Sequence, residues 1–477
     1  MDRRTLLKQV SMATAGLIVS PAVMSSRIMS QRSGTVLENT AVAEVPDVEK
    51  RIMARLHATD FDKSDSNFNS LTLIGDDLYY TLCSHNHEIS GRVYRYNTVT
   101  GKNALVGDLE VITGEVGRKN IPHGKSHSPF FQIGDKIYFA THLSYMAPGT
   151  DGRETGNTTL PEGFSPYTGG KLIEYTPANG TFRTLFSMPV WEGIITMHVD
   201  EKRALAYCFT WPSGTFWIYD IKAGNLFFKG MPNRGGESGQ GDQFSVIPRH
   251  IAIDPRDGAA YFTTADGDIM EYRHETGLLK TVDWAHLRKD VFGKLDPRTG
   301  GHFGYHWRHM VWNEKRQLFY GVHGRSGYLF SFDPRGKKVE IITRIVSEYC
   351  LRNGLNEYFH YGNMTLAQKP GDGDTLYYLT DSYRIENPTP EQARMMQQTG
   401  NPGGGARGAV VYLSLVTYHL PTGSYKDHGI IQMEDGRFPN LTQSIAIDKN
   451  GRIYTCPWLP RKDTLPRCCQ LVSFRVE

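Results

Sequence analysis

Short runs of alternating apolar and polar residues, separated by turn residues, recur along most of the chain, the pattern of strands with one buried face. The runs come in a fixed order: an apolar strand, a turn holding Asp, Gly or Lys, then an aromatic strand. This unit is read as Ser70-Leu71-Thr72-Leu73 before Leu78-Tyr79-Tyr80, and as Ser128-Pro129-Phe130-Phe131 before Ile137-Tyr138-Phe139. It returns as Met197-His198-Val199 before Ala206-Tyr207-Cys208, as His250-Ile251-Ala252-Ile253 before Ala260-Tyr261-Phe262, and as His309-Met310-Val311-Trp312 before Leu318-Phe319-Tyr320. Met364-Thr365-Leu366-Ala367 before Leu376-Tyr377-Tyr378 and Ser444-Ile445-Ala446-Ile447 before Ile453-Tyr454-Thr455 bring the copies to seven. In five copies a further strand follows, opened by a glycine and carrying an aromatic residue: Gly91…Tyr96, Gly170…Tyr175, Gly214…Tyr219, Gly267…Tyr272 and Gly327…Phe332. Turns such as Asn97-Thr98-Val99-Thr100-Gly101, Asp220-Ile221-Lys222-Ala223-Gly224 and Asp333-Pro334-Arg335-Gly336 then lead into the next antiparallel strand.

Repeats of this kind, roughly 40–65 residues each, predict an all-β, single-domain, seven-bladed β-propeller. A ring of blades needs closing, because free strand edges invite mispairing. The chain ends on Leu471-Val472-Ser473-Phe474-Arg475, a strand of the last blade, and the stretch from about Val45 to Phe61 is expected to supply or cover its outer strand. Long insertions are expected at 144–169, 283–307 and 382–407, and long loops on a rigid scaffold tend to carry function. Asn401-Pro402-Gly403-Gly404-Gly405 reads as a hinge, since no Lys-Ser/Thr follows to make a phosphate loop.

The start, Met1-Asp2-Arg3-Arg4-Thr5-Leu6-Leu7-Lys8 followed by an apolar stretch over 10–23, has the twin-arginine export pattern. Residues 1–43 are therefore read as signal and leader, with 44–477 as the propeller. The expected location is the periplasm or the exterior, reached by the twin-arginine machinery, with no stable membrane association after processing. The apolar core is too short and too rich in Ala, Ser and Thr to make a good membrane span. Charge adds a second exclusion. Lys and Arg number 53 against 50 Asp and Glu, a net charge of +3 that gives no footprint for nucleic acid. The six cysteines show no CxxC pair or zinc-ribbon spacing; the adjacent Cys468-Cys469 has no assigned role.

Aligning the copies on the aromatic strand places Asn69, His127, Thr196, Arg249, Arg308, Asn363 and Gln443 just before the innermost strands. Cys83, His142, Trp211, Ala265, His323, Asp381 and Trp458 fall where the second strands end. Both rings belong at one end of the central axis. The predicted catalytic residues are His127, His142, Tyr145, Arg249, Arg308 and His323, and the predicted substrate-binding residues are Trp211, Asn363, Asp381, Gln443, Trp458 and Tyr305. Arginine pairs with carboxylates, aromatic rings offer faces to pyranoses, and His or Tyr moves protons near neutral pH. That set suits an acidic, sugar-like ligand. Removing the proton α to a uronate carboxylate needs a neutralising cation, a base, and an acid at the leaving oxygen. Paired carboxylates for ordinary glycoside hydrolysis are not evident, because Asp381 is the only acid in the rings. His302, His306 and His309 have metal-ligand spacing on a helix, although Gly304 and the aromatics favour a loop.

His127-Ser128-Pro129, Lys136-Ile137-Tyr138-Phe139-Ala140-Thr141-His142, Tyr167-Thr168-Gly169-Gly170-Lys171-Leu172 and Trp211-Pro212-Ser213-Gly214 resemble the propeller-type polysaccharide lyases, the ulvan lyases among them. The resemblance covers blades two to four and, more weakly, the ring. It implies β-elimination on an acidic polysaccharide or oligosaccharide, paired histidines at His127 and His142, and a carboxylate-holding arginine at Arg249 or Arg308. Trp211 stands where the resemblance places a tyrosine, which leaves Tyr145, Tyr167 and Tyr305 as alternatives for the base. No cofactor is expected for the chemistry; a structural metal ion stays open. The rival readings are a non-catalytic carbohydrate- or protein-binding propeller, a metal-centred periplasmic oxidoreductase, and a lactone hydrolase or small-molecule lyase.

Overall fold

The computed structural model describes residues 51–144, 160–294, 304–324, 326–358, 364–384, 389, 390, 393, 410–460 and 467–476. The leader expected at 1–43, Tyr145, Asn363, His302 and most of the 382–407 insertion lie outside them.

The molecule is an all-β propeller. Five four-stranded antiparallel sheets follow one another along the chain, each built from strands consecutive in sequence. They begin at Leu71–Ile74, Phe131–Ile133, Gly193–Asp200, Ala252–Ile253 and Trp307–Asn313. First strands of neighbouring sheets touch in turn. Gly193–Asp200 meets Ala252–Ile253, which meets Trp307–Asn313, and the series runs on through Leu366–Gln368 and Ala446–Ile447 back to Leu71–Ile74. Seven separate blades were the expectation. Instead, the sixth and seventh copies lie in one nine-stranded sheet. The cause is the strand Arg51–His57. Its first half pairs in parallel with Ser424–Met433, from Arg51 with Ile430 to Ala54 with Met433. Its second half pairs antiparallel with Leu471–Phe474, from Arg55 with Ser473 to His57 with Leu471. The expected covering of the last strand by the N-terminal stretch is thus observed, and the same strand fuses two sheets.

The turn chemistry read from sequence is visible atom by atom. The side-chain oxygens of Asn97, Asp220 and Asp333 accept from the backbone N–H three residues on, at 2.9, 2.9 and 2.8 Å. Each ladder places its aromatic inward. Tyr96, Tyr175, Tyr219, Tyr272 and Phe332 are all buried, packed in the hydrophobic clusters that fill the propeller. No helix among the described residues is long and apolar enough to cross a membrane.

Candidate functional site

Two contacts join segments that carry aligned positions. Asn69 donates its N–H to the Gln443 carbonyl at 3.1 Å, and the Thr196 hydroxyl donates to the Pro248 carbonyl at 2.6 Å, one residue from Arg249.

A cluster of charged and aromatic side chains lies on segments that flank the first four sheets. Lys125 and His142 form a two-way backbone bridge, 3.1 and 2.7 Å, that fixes the segment carrying His127. The His127 ring stacks on Phe68 with centroids 4.3 Å apart and planes 7° apart. Its other neighbour is His142, edge-on at 4.7 Å, and His142 in turn meets Trp211 at 5.7 Å. Gly193 explains how His142 fits: a Cβ there would fall 1.8 Å from its Nδ1, so only glycine admits the ring. Lys125 is fully buried, with its ammonium 5.7 Å from the Phe68 ring centroid. Burial first, then His142, Lys125, Arg249 and His85, push His127 well below the usual histidine range. Burial and the charges of Lys125, Arg249, His85 and His123 do the same to His142. Both imidazoles are therefore neutral at physiological pH, and both feel cations on several sides.

One carboxylate balances this charge. Glu237 accepts from Arg249 Nη2 at 2.7 Å, from Trp211 Nε1 at 2.9 Å and from the Ile247 N–H at 3.1 Å. Burial acts to raise its pKa, but Arg249 and these donors outweigh burial and hold it below the usual carboxylate range. The Gly235–Gly241 loop that carries Glu237 is fastened by its backbone: the Ser238 N–H donates to Pro212 O and the Ser245 N–H to Gly236 O. A Cβ on Gly236 would lie 2.4 Å from Pro212 O, so the close approach requires glycine.

A second buried network adjoins the first. Glu115 accepts from the Thr168 hydroxyl at 2.6 Å, Asn120 Nδ2 at 3.0 Å and Lys171 Nζ at 3.1 Å, and lies 3.3 Å from His123 Nε2. The Tyr167 hydroxyl bonds His123 Nδ1 at 2.9 Å. Burial raises the Tyr167 hydroxyl well above its ordinary value.

The structure thus brings His127, His142, Trp211 and Arg249 together. Arg308 is near: it is buried, and its charge joins that of Arg249 in depressing His306, after burial itself, to about 3. Other predicted residues make different contacts. His323 stacks on Phe292 at 3.9 Å and bonds Ser326 Oγ at 2.9 Å. Asp381 is buried with no hydrogen-bond partner at either oxygen, and burial raises its pKa far above the carboxylate range, so it is a neutral acid. Gln443 is buried, with both side-chain polar atoms lacking partners. Trp458 is half-buried and pairs through its backbone with Asn440 and Leu441. Tyr305 donates its hydroxyl to the Gly293 carbonyl at 3.2 Å. Trp211 departs from the expected platform for a sugar ring. Its indole is 2% exposed and packs in the cluster that holds Leu143, Tyr167 and Ile247. The helical metal face also fails, since His309 lies in the strand Trp307–Asn313 and His306 bonds Thr263 Oγ1 and the Val246 carbonyl. Among the described residues no group of three or more His, Cys, Asp or Glu side chains is placed to hold a metal ion.

Sequence reasoning missed Lys125, Phe68, Glu237, His85 and Asp65. A signal existed for His85, which lies two residues beyond the ring position Cys83. Glu237 gave none, because its loop reaches the site only through tertiary packing. Two surface depressions lie elsewhere, one lined by Thr72, Gly75, Gln132 and Glu201, the other by Glu271, Arg273, Lys280 and Trp284. Neither contains a histidine, so chemistry favours the axial cluster.

No protein-family model matches the chain, and no curated protein does. Solved structures similar to it include propellers. An oligogalacturonate lyase in complex with manganese is 9% identical with a TM-score of 0.46, covering 88% of this chain and 92% of that one. A β-propeller domain from Myceliophteria thermophila is 10% identical with a TM-score of 0.47, covering 87% and 98%. A putative 6-phosphogluconolactonase from Bacteroides fragilis is 12% identical with a TM-score of 0.43, covering 87% and 95%. Likeness of this degree carries no argument about chemistry, and the propeller assignment rests on the sheets themselves.

Proposed function

We propose that this protein acts on an acidic, uronate-containing glycan at the axial cluster, cleaving it by β-elimination in the manner of the propeller-type polysaccharide lyases. The observation that carries the reading is the convergence of two neutral imidazoles, His127 and His142, with Lys125 and Arg249. The two cations offset the charge of a bound carboxylate and of the enolate that forms beside it, while the neutral rings hydrogen-bond to ligand oxygens. In the same reading the nine-stranded sheet is the sixth and seventh blades bridged by Arg51–His57, and the chain works outside the cytoplasm after twin-arginine export. The elimination as written uses no cofactor.

The test is incubation with a panel of uronate polysaccharides, following the ultraviolet absorbance of the conjugated product, with His127→Ala and His142→Ala in parallel. The expected result is a rise in absorbance that each substitution lowers by about 100-fold or more. A folded protein that binds uronates but yields no unsaturated product would leave the binding-only reading. One observation favours that alternative: Glu237 already pairs with Arg249, so less charge is left to offset a ligand carboxylate.

A further inference from the structure

Away from the axis, the seam between the fourth and fifth sheets holds a cleft of about 320 Å³, toward the small end of small-molecule sites. One side comes from the fourth sheet, from Asp268–Arg273 and its outermost strand Leu278–His286; the other comes from Pro334 and Lys337 at a turn of the fifth. Val282 and the half-buried Trp284 pack in the cluster that contains Phe332. The Trp284 indole lies parallel to the Phe332 ring, with planes 3° apart and centroids 5.8 Å apart, so the ring is held in place from behind.

The polar lining is fixed as well. Glu271, whose side chain is 8% exposed, accepts from the Tyr261 hydroxyl at 2.9 Å and pairs with Arg273 at 2.7 Å and Lys280 at 3.3 Å. Burial acts to raise its pKa, but these three partners outweigh burial and keep the carboxylate ionised. Arg273 also meets Asp257 at 3.2 Å, and the Asp333 carboxylate accepts from the Arg335 and Gly336 N–H groups at 3.1 and 2.8 Å, which sets the turn that carries Pro334. Arg273, Lys280 and Lys337 thus stand with Glu271, Asp283 and Asp257, and the two signs of charge balance. An ion gains little from such a lining. A saccharide gains more, because its hydroxyls both donate and accept and so match guanidinium and ammonium donors set beside carboxylate acceptors, while the C–H face of a pyranose packs on an indole. The other depression lacks this combination, since its ring, Phe130, is buried and its charged lining group is Glu201.

We propose that this cleft is a saccharide-binding site separate from the axial cluster, seating a neutral pyranose segment against Trp284, between the network of Glu271, Arg273 and Lys280 and the turn of Pro334 and Lys337. The inference goes beyond the lyase reading and does not depend on it. The indole takes the C–H face of the sugar, Arg273 and Lys280, with side chains 40% and 54% exposed, donate to its hydroxyls, and Asp283 accepts from them. No bond is made or broken; the cleft holds a chain.

The experiment is calorimetric titration of the full chain with neutral cello-, xylo-, manno- and galacto-oligosaccharides, comparing wild type, Trp284→Ala, Lys280→Met and His127→Ala. At least one oligomer is expected to bind wild type and His127→Ala alike. Trp284→Ala is expected to weaken that binding by about 10-fold or more, and Lys280→Met by about 3-fold. Trp284 also packs on Phe332, so urea midpoints are measured alongside; Lys280→Met, at an exposed side chain, tests the cleft even if Trp284→Ala fails to fold. Because the charges balance, added salt is expected to change the affinity by less than about 2-fold. A steep fall with salt would overturn the neutral ligand. Binding lost in His127→Ala but kept in Trp284→Ala would move the sugar to the axial cluster and overturn the site. Failure of every oligomer to bind folded wild type would overturn the proposal outright, and would leave uronate cleavage at the axial cluster to stand or fall on its own test.

Discussion

Two groups of histidines line the axis of this propeller, and they differ in what surrounds them. His198, His250 and His309 form a run with ring centroids 4.1 and 5.1 Å apart. Burial is the main cause of their depressed pKa values, about 3 for His198, about 4 for His309, and well below the ordinary value for His250. Among the described residues, the charges that act on His198 and His250 come from the other histidines of the run. His127 and His142 are as buried and as neutral, but they feel Lys125 and Arg249, with Glu237 holding the latter and His85 at the solvent side. A count of histidines does not separate the groups. Their charge environment does, and in the proposed reading the second group is the one that attracts an anion.

The largest effect that sharpens this contrast is expected from Arg249→Ala. It leaves Glu237 as a buried carboxylate without its cation, at a cost of about 3–5 kcal/mol read from urea denaturation. Glu237→Gln removes the charge instead and is expected to cost less. An equal loss for both would mean that the loop, not the ion pair, carries the stability.

Acid is expected to act next, on both groups of histidines. Histidines whose folded-state pKa lies below the unfolded value bind protons more readily when unfolded. Their contribution is therefore complete above about pH 6.5 and lost as pH falls toward 3–4, at about 1.4 kcal/mol per unit of depression for each. Urea midpoints measured down this range should fall well before the carboxylates titrate, and His198→Phe should flatten the slope. A flat profile to pH 5 would contradict the buried neutral state. Asp65 adds a smaller step of the usual carboxylate sign, lost from about pH 3.8 toward about 2.

Smallest is the effect of Asp381→Asn. Because burial holds this carboxyl neutral with no partner at either oxygen, the substitution should change stability by no more than about 1 kcal/mol near pH 7. If Asp381 instead held a catalytic charge, the same change would abolish activity.

Much of the fold was legible because a propeller writes itself as a repeat. The copies from Leu71 to Phe332 each became a four-stranded sheet, and Asn97, Asp220 and Asp333 made the expected turns. The fusion of the last two copies was not legible, since it depends on Arg51–His57 choosing partners more than 370 residues away. The structure sets Asn69 beside Gln443 and Thr196 beside Pro248, the residue before Arg249, but alignment gives position and not exposure. Trp211 illustrates the gap: it meets His142, yet its indole is packed in the core. His85, Asp65 and Glu237 escaped because they stand on loops outside the aligned strands, where tertiary packing alone sets the contacts.

The central claim, that charge environment marks the His127–His142 cluster as the anion site, is tested most directly by calorimetric titration of a uronate oligosaccharide and its neutral, carboxyl-reduced counterpart. Wild type, Lys125→Met and His250→Gln are compared. The account predicts that wild type and His250→Gln bind the uronate alike, that Lys125→Met weakens it by about 10-fold or more, and that the reduced sugar binds poorly to all three. Equal binding of the charged and reduced sugars, or loss through His250→Gln with Lys125→Met unaffected, would contradict it.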